Sequence, residues 1–455
     1  MSKKKLIHSF IQGNNMQEYK VAIIGGGPAG MMAAIKAAQE LGPKSVCIIE
    51  KNDALGKKLL MTGGGRCNIT NNTPIHDQLN YYNKNKNFLK HALYTLPQDK
   101  LLKIFEDKDL EFHQEDNKRV FPDSEDAHDI LDILMEYLEE LEVDIHYNCP
   151  IGANDIEHEL NENMEPVFEI ENDKLSLNAS KIIVSTGGIT YPNTGSTGDG
   201  YKIASKLNHT ITDIKPGLVS FNVDDFLLKS LSGLNMNDVE ISFKDKKKKI
   251  SVRGDILISH FGLTGPAVID LSNKLIEKSK FTIVDDALNL KGEEELENLE
   301  LFTDKVSIDF TPDLTEEEIK GQITKDTPNN GTLKIKNYMK KFLPSNFIDY
   351  FLMKLDISPN KTMANITKKD KNKLAENLKR HQIEIESLET DLAKVTIGGV
   401  KSKEIDSKTL QSRLVEGLYF AGEVLEVAGP TGGYNLQVAF STGYLAGQEA
   451  ANSLK

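Results

Sequence analysis

At 455 residues the chain exceeds one ordinary hydrophobic core, so two or three domains are expected, with room to bury a bulky cofactor. Its 39% hydrophobic and 27% charged residues exclude a disordered or fibrous chain, and a formal net charge of -13 opposes a phosphate-backbone partner. Cys47, Cys67 and Cys149 form no CxxC pair, which argues against a disulfide framework or zinc site and for a reducing, cytoplasmic setting.

The basic start has only LIHSFI as its apolar part, too short for a signal peptide, and residues 1–17 are expected to be a mobile extension. No stretch approaches the roughly 20 apolar residues that span a bilayer, so no membrane partner is expected. The segment YKVAIIGGGPAGMMAAIKAAQELGPKSVCIIEK then reads as apolar strand, glycine turn, Ala-rich helix and second apolar strand, a βαβ unit of a parallel sheet. KIIVSTGG at 181–188 and GLYFAGE at 417–423 repeat the strand-then-glycine pattern, the latter running into a final helix. The fold class expected is α/β, a doubly wound domain built discontinuously from 18–215 and 393–455.

Between these parts, 216–310 is β-rich, with Lys246 to Lys249 at the tip of a hairpin between VEISF and ISVRGDILIS. The stretch 311–392 turns helical: Thr315-x-x-Glu318 is a capping-box signature, and IKNYMKKFL spaces its apolar residues at helical intervals. The first is expected to be a β-rich insert and the second a separate helical subdomain.

Gly25-x-Gly27-x-x-Gly30 sits where the first strand meets its helix. The first glycine permits the turn, the second lets backbone approach a pyrophosphate, and the third packs helix on strand. Glu50 closes the next strand, where a carboxylate accepts ribose hydroxyls and rejects a 2'-phosphate. An adenine dinucleotide is therefore expected. A nicotinamide dehydrogenase would leave the later motifs without a role. Met61-Thr62-Gly63-Gly64-Gly65-Arg66-Cys67-Asn68 is a second glycine-rich loop whose Arg66 could meet a pyrophosphate or an anionic substrate. Gly422-Glu423 closes a buried strand, and Gly429 to Gly433 leads through Tyr434-Asn435 into the last helix, whose N-terminus favours negative charge on a reduced flavin. FAD fits this arrangement better than NAD.

VAIIGGGPAG, KKLLMTGGGRCNITN, STGGITYPNTGSTGDGY, SHFGLTGPAVIDLS, VTIGGVKSKEI and GLYFAGEVLEVAGPTGGYNLQVAFSTG together resemble the bacterial NAD(P)/FAD-dependent oxidoreductases of the aminoacetone-oxidase-like and dehydro-bile-acid-reductase-like group. The resemblance implies a doubly wound (Rossmann-like) FAD-binding domain interrupted by a β-barrel-like insert and a helical segment. It also implies noncovalent FAD contacts at Gly25, Gly27, Gly30, Glu50, Lys51, Arg66, Asn68, Gly187, Gly188, Gly422, Glu423, Gly433, Tyr434, Asn435, Leu436 and Gln437. Pro28, Ala29, Lys58 and Gly64 join them as candidate cofactor residues. Glu426 to Thr431 departs from the family pattern, in which Asp and a small or Cys residue are frequent.

Flavin supplies the redox chemistry, so a catalytic acid leaves little trace in sequence. His260 and Tyr434 are the candidate proton donors, and Arg119 a candidate for a carboxylate substrate. Cys67 lacks the neighbouring cysteine of a flavin dithiol and reads as a packed thiol. No second GxGxxG unit is present, so NAD(P)H is expected to bind transiently. Reduction of an activated double bond of a small organic substrate, oxidation of an amine by oxygen, and RNA modification all remain open. The different class is a flavin-binding redox sensor. No metal is expected, and the oligomeric state is not legible.

Overall fold

The computed structural model describes residues 16–161, 165–245, 248–277 and 305–455. They divide into two compact units, Met1–Ile214 with Thr396–Lys455, and Lys215–Val395. The extension expected at 1–17 lies outside the described residues up to residue 15. Strand β1 already begins at Gln17, which pairs with Leu177.

In the first unit, β1 (Gln17–Ile24) lies parallel to β2 (Val46–Ile49) on one side and to the strand Ser176–Val184 on the other. The strand Asp144–His146 extends the sheet beyond β2, and Leu418–Phe420 joins it parallel to residues 182–184. Two antiparallel strands, Pro166–Glu171 and Ile156–Leu160, complete it beside the first half of Ser176–Val184. Val21, Ala22, Ile23, Ile48, Ile182 and Ile183 are all fully buried, whichever face they point to. Such double-sided burial is what a parallel sheet covered by helices requires. Each large aliphatic side chain among them contributes about 1.5–3 kcal/mol.

The helices Pro28–Leu41 and Tyr434–Asn452 touch through small residues. A Cβ at Gly443 would come 2.1 Å from the Ala29 carbonyl oxygen, and one at Gly447 would come 2.2 Å from that of Ala33. The two glycines let the backbones approach closely, and so fix the end of the chain against its beginning.

The second unit contains a seven-stranded antiparallel sheet. Its order is His381–Glu384, Lys305–Asp309, Asn235–Asp245, Lys248–Ile258, Gly262–Thr264, Ser220–Asn222 and Ser387–Glu389. The first and last strands in this order are separated by only two residues of chain, so the sheet curls until its edges meet at one corner. The expected hairpin is present, with Asp245 opposite Lys248, while Lys246 and Lys247 at its tip lie outside the described residues.

The division expected at 311 does not separate two compact units. His381–Glu384 and Ser387–Glu389 belong to the helical stretch by sequence, yet they form both edges of this sheet. Short strands carry too few alternations to stand out beside neighbouring helices. The helix Glu316–Asp326 does start with the capping box, Thr315 Oγ1 accepting from the Glu318 amide at 3.2 Å and Glu318 Oε2 from the Thr315 amide at 2.7 Å. Phe310, Phe347, Tyr350 and Phe351 pack around the buried ring of His381. Among the described residues no helix is long and apolar enough to cross a membrane.

Candidate cofactor site

The first part of the site is the turn between β1 and the helix Pro28–Leu41. Gly25 has φ 103°, and a Cβ on it would lie 2.8 Å from the Ser185 carbonyl oxygen. A Cβ on Gly30 would lie 2.0 Å from the Gly25 carbonyl oxygen. These two glycines are demanded by the protein itself. Gly27 is different, because a Cβ there would meet nothing within 4 Å. It is the N-cap of a helix that no side chain caps, followed by Pro28 at the first helical position. An open cradle at an uncapped helix N-terminus is what a pyrophosphate fits.

Glu50, buried just past the end of β2, holds this turn in shape. Its Oε2 accepts the Gly26 amide at 2.8 Å, and its Oε1 accepts the backbone amide and side-chain Nδ2 of Asn52 at 2.8 and 2.7 Å. With roughly four acceptor sites on a carboxylate and three used, one remains for a ribose hydroxyl. The adjacent Lys51 is paired with Asp199 at 2.6 Å and donates to Thr197 at 2.5 Å, so the TGSTGDGY stretch closes over the end of β2. The hydroxyl of Thr186 is buried without a hydrogen-bond partner beside these elements.

The second part gathers Lys58, Thr190, Thr396 and Glu423 from four distant points of the chain. Lys58 Nζ lies 2.7 Å from Glu423 Oε2 and 2.9 Å from Thr190 Oγ1. Glu423 Oε1 accepts the Thr396 amide at 2.8 Å. Gly187 and Gly188 leave the room this needs, since a Cβ on Gly188 would come 2.1 Å from Thr396 Oγ1. Gly422 in turn abuts Ala29, at 2.8 Å between the added Cβ and that of Ala29. Lys58 also lies 5.7 Å from the centre of the Tyr191 ring.

The third part joins the two glycine-rich loops. Gly64 and Gly65 have φ of 72° and 93° with open space where their Cβ atoms would stand, a second cradle. With the Asn68 amide turned to satisfy both neighbours, its nitrogen donates to the Thr70 carbonyl at 3.0 Å and its oxygen accepts the Gly433 amide at 3.2 Å. Asn435 closes the loop before it, accepting the Gly429 amide at 2.8 Å and donating to the Gly429 and Pro430 carbonyls. The two open cradles and the spare acceptor site on Glu50 fit the FAD expected from sequence.

Several candidates have other duties. Arg66 is held by Glu115 at 2.8 Å and Glu125 at 2.6 Å, with its guanidinium 4.1 Å from the Phe121 ring centre, so it is not a free cation. Those carboxylates raise its already high pKa. Arg119 likewise pairs with Glu115, at 3.0 Å. The Gln437 side chain is fully buried and donates to the Leu96 carbonyl at 2.9 Å, while its oxygen takes the Thr70 hydroxyl; it anchors the last helix instead of reaching outward. Leu436 is half-buried against the core.

Tyr434 is poorly placed as a proton donor to substrate. Thr73 spends its one hydroxyl hydrogen on Asn71 Oδ1 at 2.6 Å, so across the 3.3 Å contact Tyr434 is the donor and Thr73 the acceptor. Its proton is thus aimed into a buried chain. His260 stands exposed in a turn of the second unit, its ring edge-on to Phe261 at 5.0 Å. Cys67 is fully buried and burial pushes its thiol up to about 12, so it is a protonated packing group at neutral pH.

Asn52, Thr190 and Thr396 were missed by sequence reasoning. Asn52 follows Glu50 by two positions, a spacing at which an Asn side chain can reach back to it. Thr190 and Thr396 lie inside the motifs STGGIT and VTIGG, but only the folded topology brings them to Glu423.

The sequence profile of the HI0933-like protein Rossmann domain matches residues 19–449. The chain is 28% identical over 433 residues to the 3-dehydro-bile acid delta(4,6)-reductase of Clostridium scindens, covering 95% of this chain and 99% of that one. It is 30% identical over 430 residues to the ribosomal RNA dihydrouridine synthase of Haemophilus influenzae, with 93% and 96% coverage. The synthase of the same name from Escherichia coli is 28% identical over 437 residues, with 95% and 98% coverage.

Proposed function

The chain belongs to the HI0933-like family and is an FAD-dependent oxidoreductase; from that premise we propose that it reduces a carbon–carbon double bond conjugated to a carbonyl, with electrons from NAD(P)H. The observation that carries this reading is the chemistry shared by relatives matched over nearly the whole chain. A delta(4,6)-reductase of a 3-oxo bile acid and a synthase of dihydrouridine each saturate a ring double bond in conjugation with a carbonyl. The balance is one hydride and one proton added across the double bond as NAD(P)H becomes NAD(P)+. Bound flavin supplies the hydride chemistry between the two partners.

The residues of this chain hold and tune. Gly27 and the helix N-terminus behind it receive the pyrophosphate, and Glu50 receives the ribose. The Lys58–Glu423 pair fixes the far wall of the site. Asn68 sets the two glycine-rich loops against each other, and Asn435 closes the second of them on itself. The buried thiol of Cys67 rules out a dithiol relay through that residue.

A small organic enone is the first substrate class, in keeping with the formal net charge of -13, which opposes a polyphosphate partner. The second reading is a uracil base of RNA, favoured by the two synthases matched at 28% and 30% identity. The three free thiols agree with a cytoplasmic location.

The test is an anaerobic absorbance experiment on the purified protein. Flavin bands that bleach with NADH or NADPH and return with an enone establish the reductase. Return with ribosomal RNA alone, with a two-hydrogen mass gain at uridine, establishes the second reading. Return only with oxygen assigns an oxidase, and failure to hold FAD after reconstitution overturns the cofactor assignment.

A further inference from the structure

Two consecutive tyrosines beside the last glycine loop have opposite roles. Tyr82 is buried, and its hydroxyl donates to the Tyr434 carbonyl at 3.1 Å. Tyr81 is 46% exposed, and its ring lies 4.8 Å from that of Tyr434 at an interplanar angle of 46°. Tyr434 cannot swing aside, because its carbonyl is held by Tyr82, its hydroxyl by Thr73, and its ring edge lies 3.4 Å from where a Cβ on Gly432 would stand.

The fixed ring makes Tyr81 an exposed aromatic wedge propped on the rim of the Gly432–Gly433 loop. Tyr434 covers one side of the Tyr81 ring while the residue stays 46% exposed, and an exposed aromatic ring binds flat π-systems by stacking, in a way tolerant of ring identity.

We propose that Tyr81, propped by Tyr434, is the substrate-stacking platform of the site, selecting a flat ring in which a double bond is conjugated to a carbonyl over an acyclic molecule bearing the same group. The inference rests on the proposed reductase reading and adds the substrate's shape to it. A steroid enone and a uracil base both have this chemistry, and the two are separated by the probes below.

The test uses flavin-loaded full-length protein, with Tyr81→Ala, Tyr81→Phe and, as a surface control, Tyr94→Ala, a tyrosine 50% exposed elsewhere in the same unit. Three probes are titrated anaerobically: 4-androstene-3,17-dione, uridine and the acyclic methyl vinyl ketone. Dissociation constants come from perturbation of the flavin spectrum, independently of turnover. Tyr81→Ala is expected to weaken binding of at least one ring probe about tenfold more than the acyclic probe, with Tyr81→Phe restoring it and Tyr94→Ala matching wild type. Which ring responds assigns the source. Equal effects on ring and acyclic probes, or failure of both rings to bind wild type, overturns the platform. If a ring binds and loses affinity in Tyr81→Ala but no probe reoxidises the reduced flavin, the platform stands and the reductase reading falls.

Discussion

The ammonium of Lys58 lies 2.7 Å from the carboxylate of Glu423, a residue 365 positions further along the chain. Both groups are less than one-quarter exposed, so solvent screens the pair only in part. Lys58→Met leaves the acid without its counter-ion in the wall of the site and is expected to weaken FAD binding about tenfold. If the two act as one unit, Lys58→Met with Glu423→Gln loses no more than either single variant. Fluorescence titration of FAD into the apoproteins reads all three, and additive losses would show that the pair is incidental.

Gly27 separates the needs of the fold from those of the cofactor. Its φ of -79° suits any residue and a Cβ there meets open space, so Gly27→Ala is expected to leave the apoprotein within about 1 kcal/mol of wild type. The same methyl stands in the cradle, and FAD affinity should fall about 100-fold. Gly433→Ala behaves in the opposite way. With φ 94° and a Cβ 2.3 Å from the Thr70 carbonyl oxygen, it should cost the fold about 3 kcal/mol or more before any cofactor is added. Thermal melts of the apoproteins beside FAD titrations check both, and a Gly27→Ala protein that binds FAD normally would place the pyrophosphate elsewhere.

His381 makes the second unit sensitive to acid. Burial among four aromatic rings lowers its pKa from 6.5 to about 4, the Lys354 charge pushing the same way and Asp225 opposing, and neither ring nitrogen has a hydrogen-bond partner. The native state holds the ring neutral while the unfolded chain protonates it near 6.5. Stability is therefore complete above about pH 6.5 and is lost as pH falls toward 4, by about 3 kcal/mol in all. His381→Leu should remove this part of the acid sensitivity. Urea denaturation at pH 7 and pH 4.5 measures it, and an unchanged pH dependence in the variant would assign it to other groups.

All three thiols are buried, with burial raising the pKa of each. Native protein is expected to react with a thiol reagent at pH 8 only as fast as it unfolds, and Cys67→Ala to accept electrons from NAD(P)H at the wild-type rate. Rapid labelling of Cys67 would reopen a role for sulfur in the reaction.

Gly25, Gly27, Gly30 and Glu50 were legible because one βαβ unit carries that whole motif, its spacing set by local geometry. Glu423 was legible as an acid at a strand end, but its partners were not. Lys58 and Thr190 reach it only after strands far apart in sequence are paired in the sheet. The burden on Arg66 was invisible for the same reason, because Glu115 and Glu125 come to it across the pairing of Phe112–Gln114 with Arg119–Pro122. The strands at the edges of the second sheet escaped notice because three or four residues show no period that outweighs adjacent helices.

The strand Ser176–Val184 pairs along one side with β1 and along part of the other with Leu418–Phe420, and Gly443 and Gly447 seat the last helix on Pro28–Leu41. During synthesis, β1 and the glycine turn leave the ribosome hundreds of residues before the segments that cover them. The intervening unit can finish folding while its host waits with an unpaired strand edge. The wall that Lys58 and Glu423 form is thereby completed last, and shortage of the vitamin precursor is expected to be felt first as aggregation of newly made chains, with protein already folded around its cofactor spared.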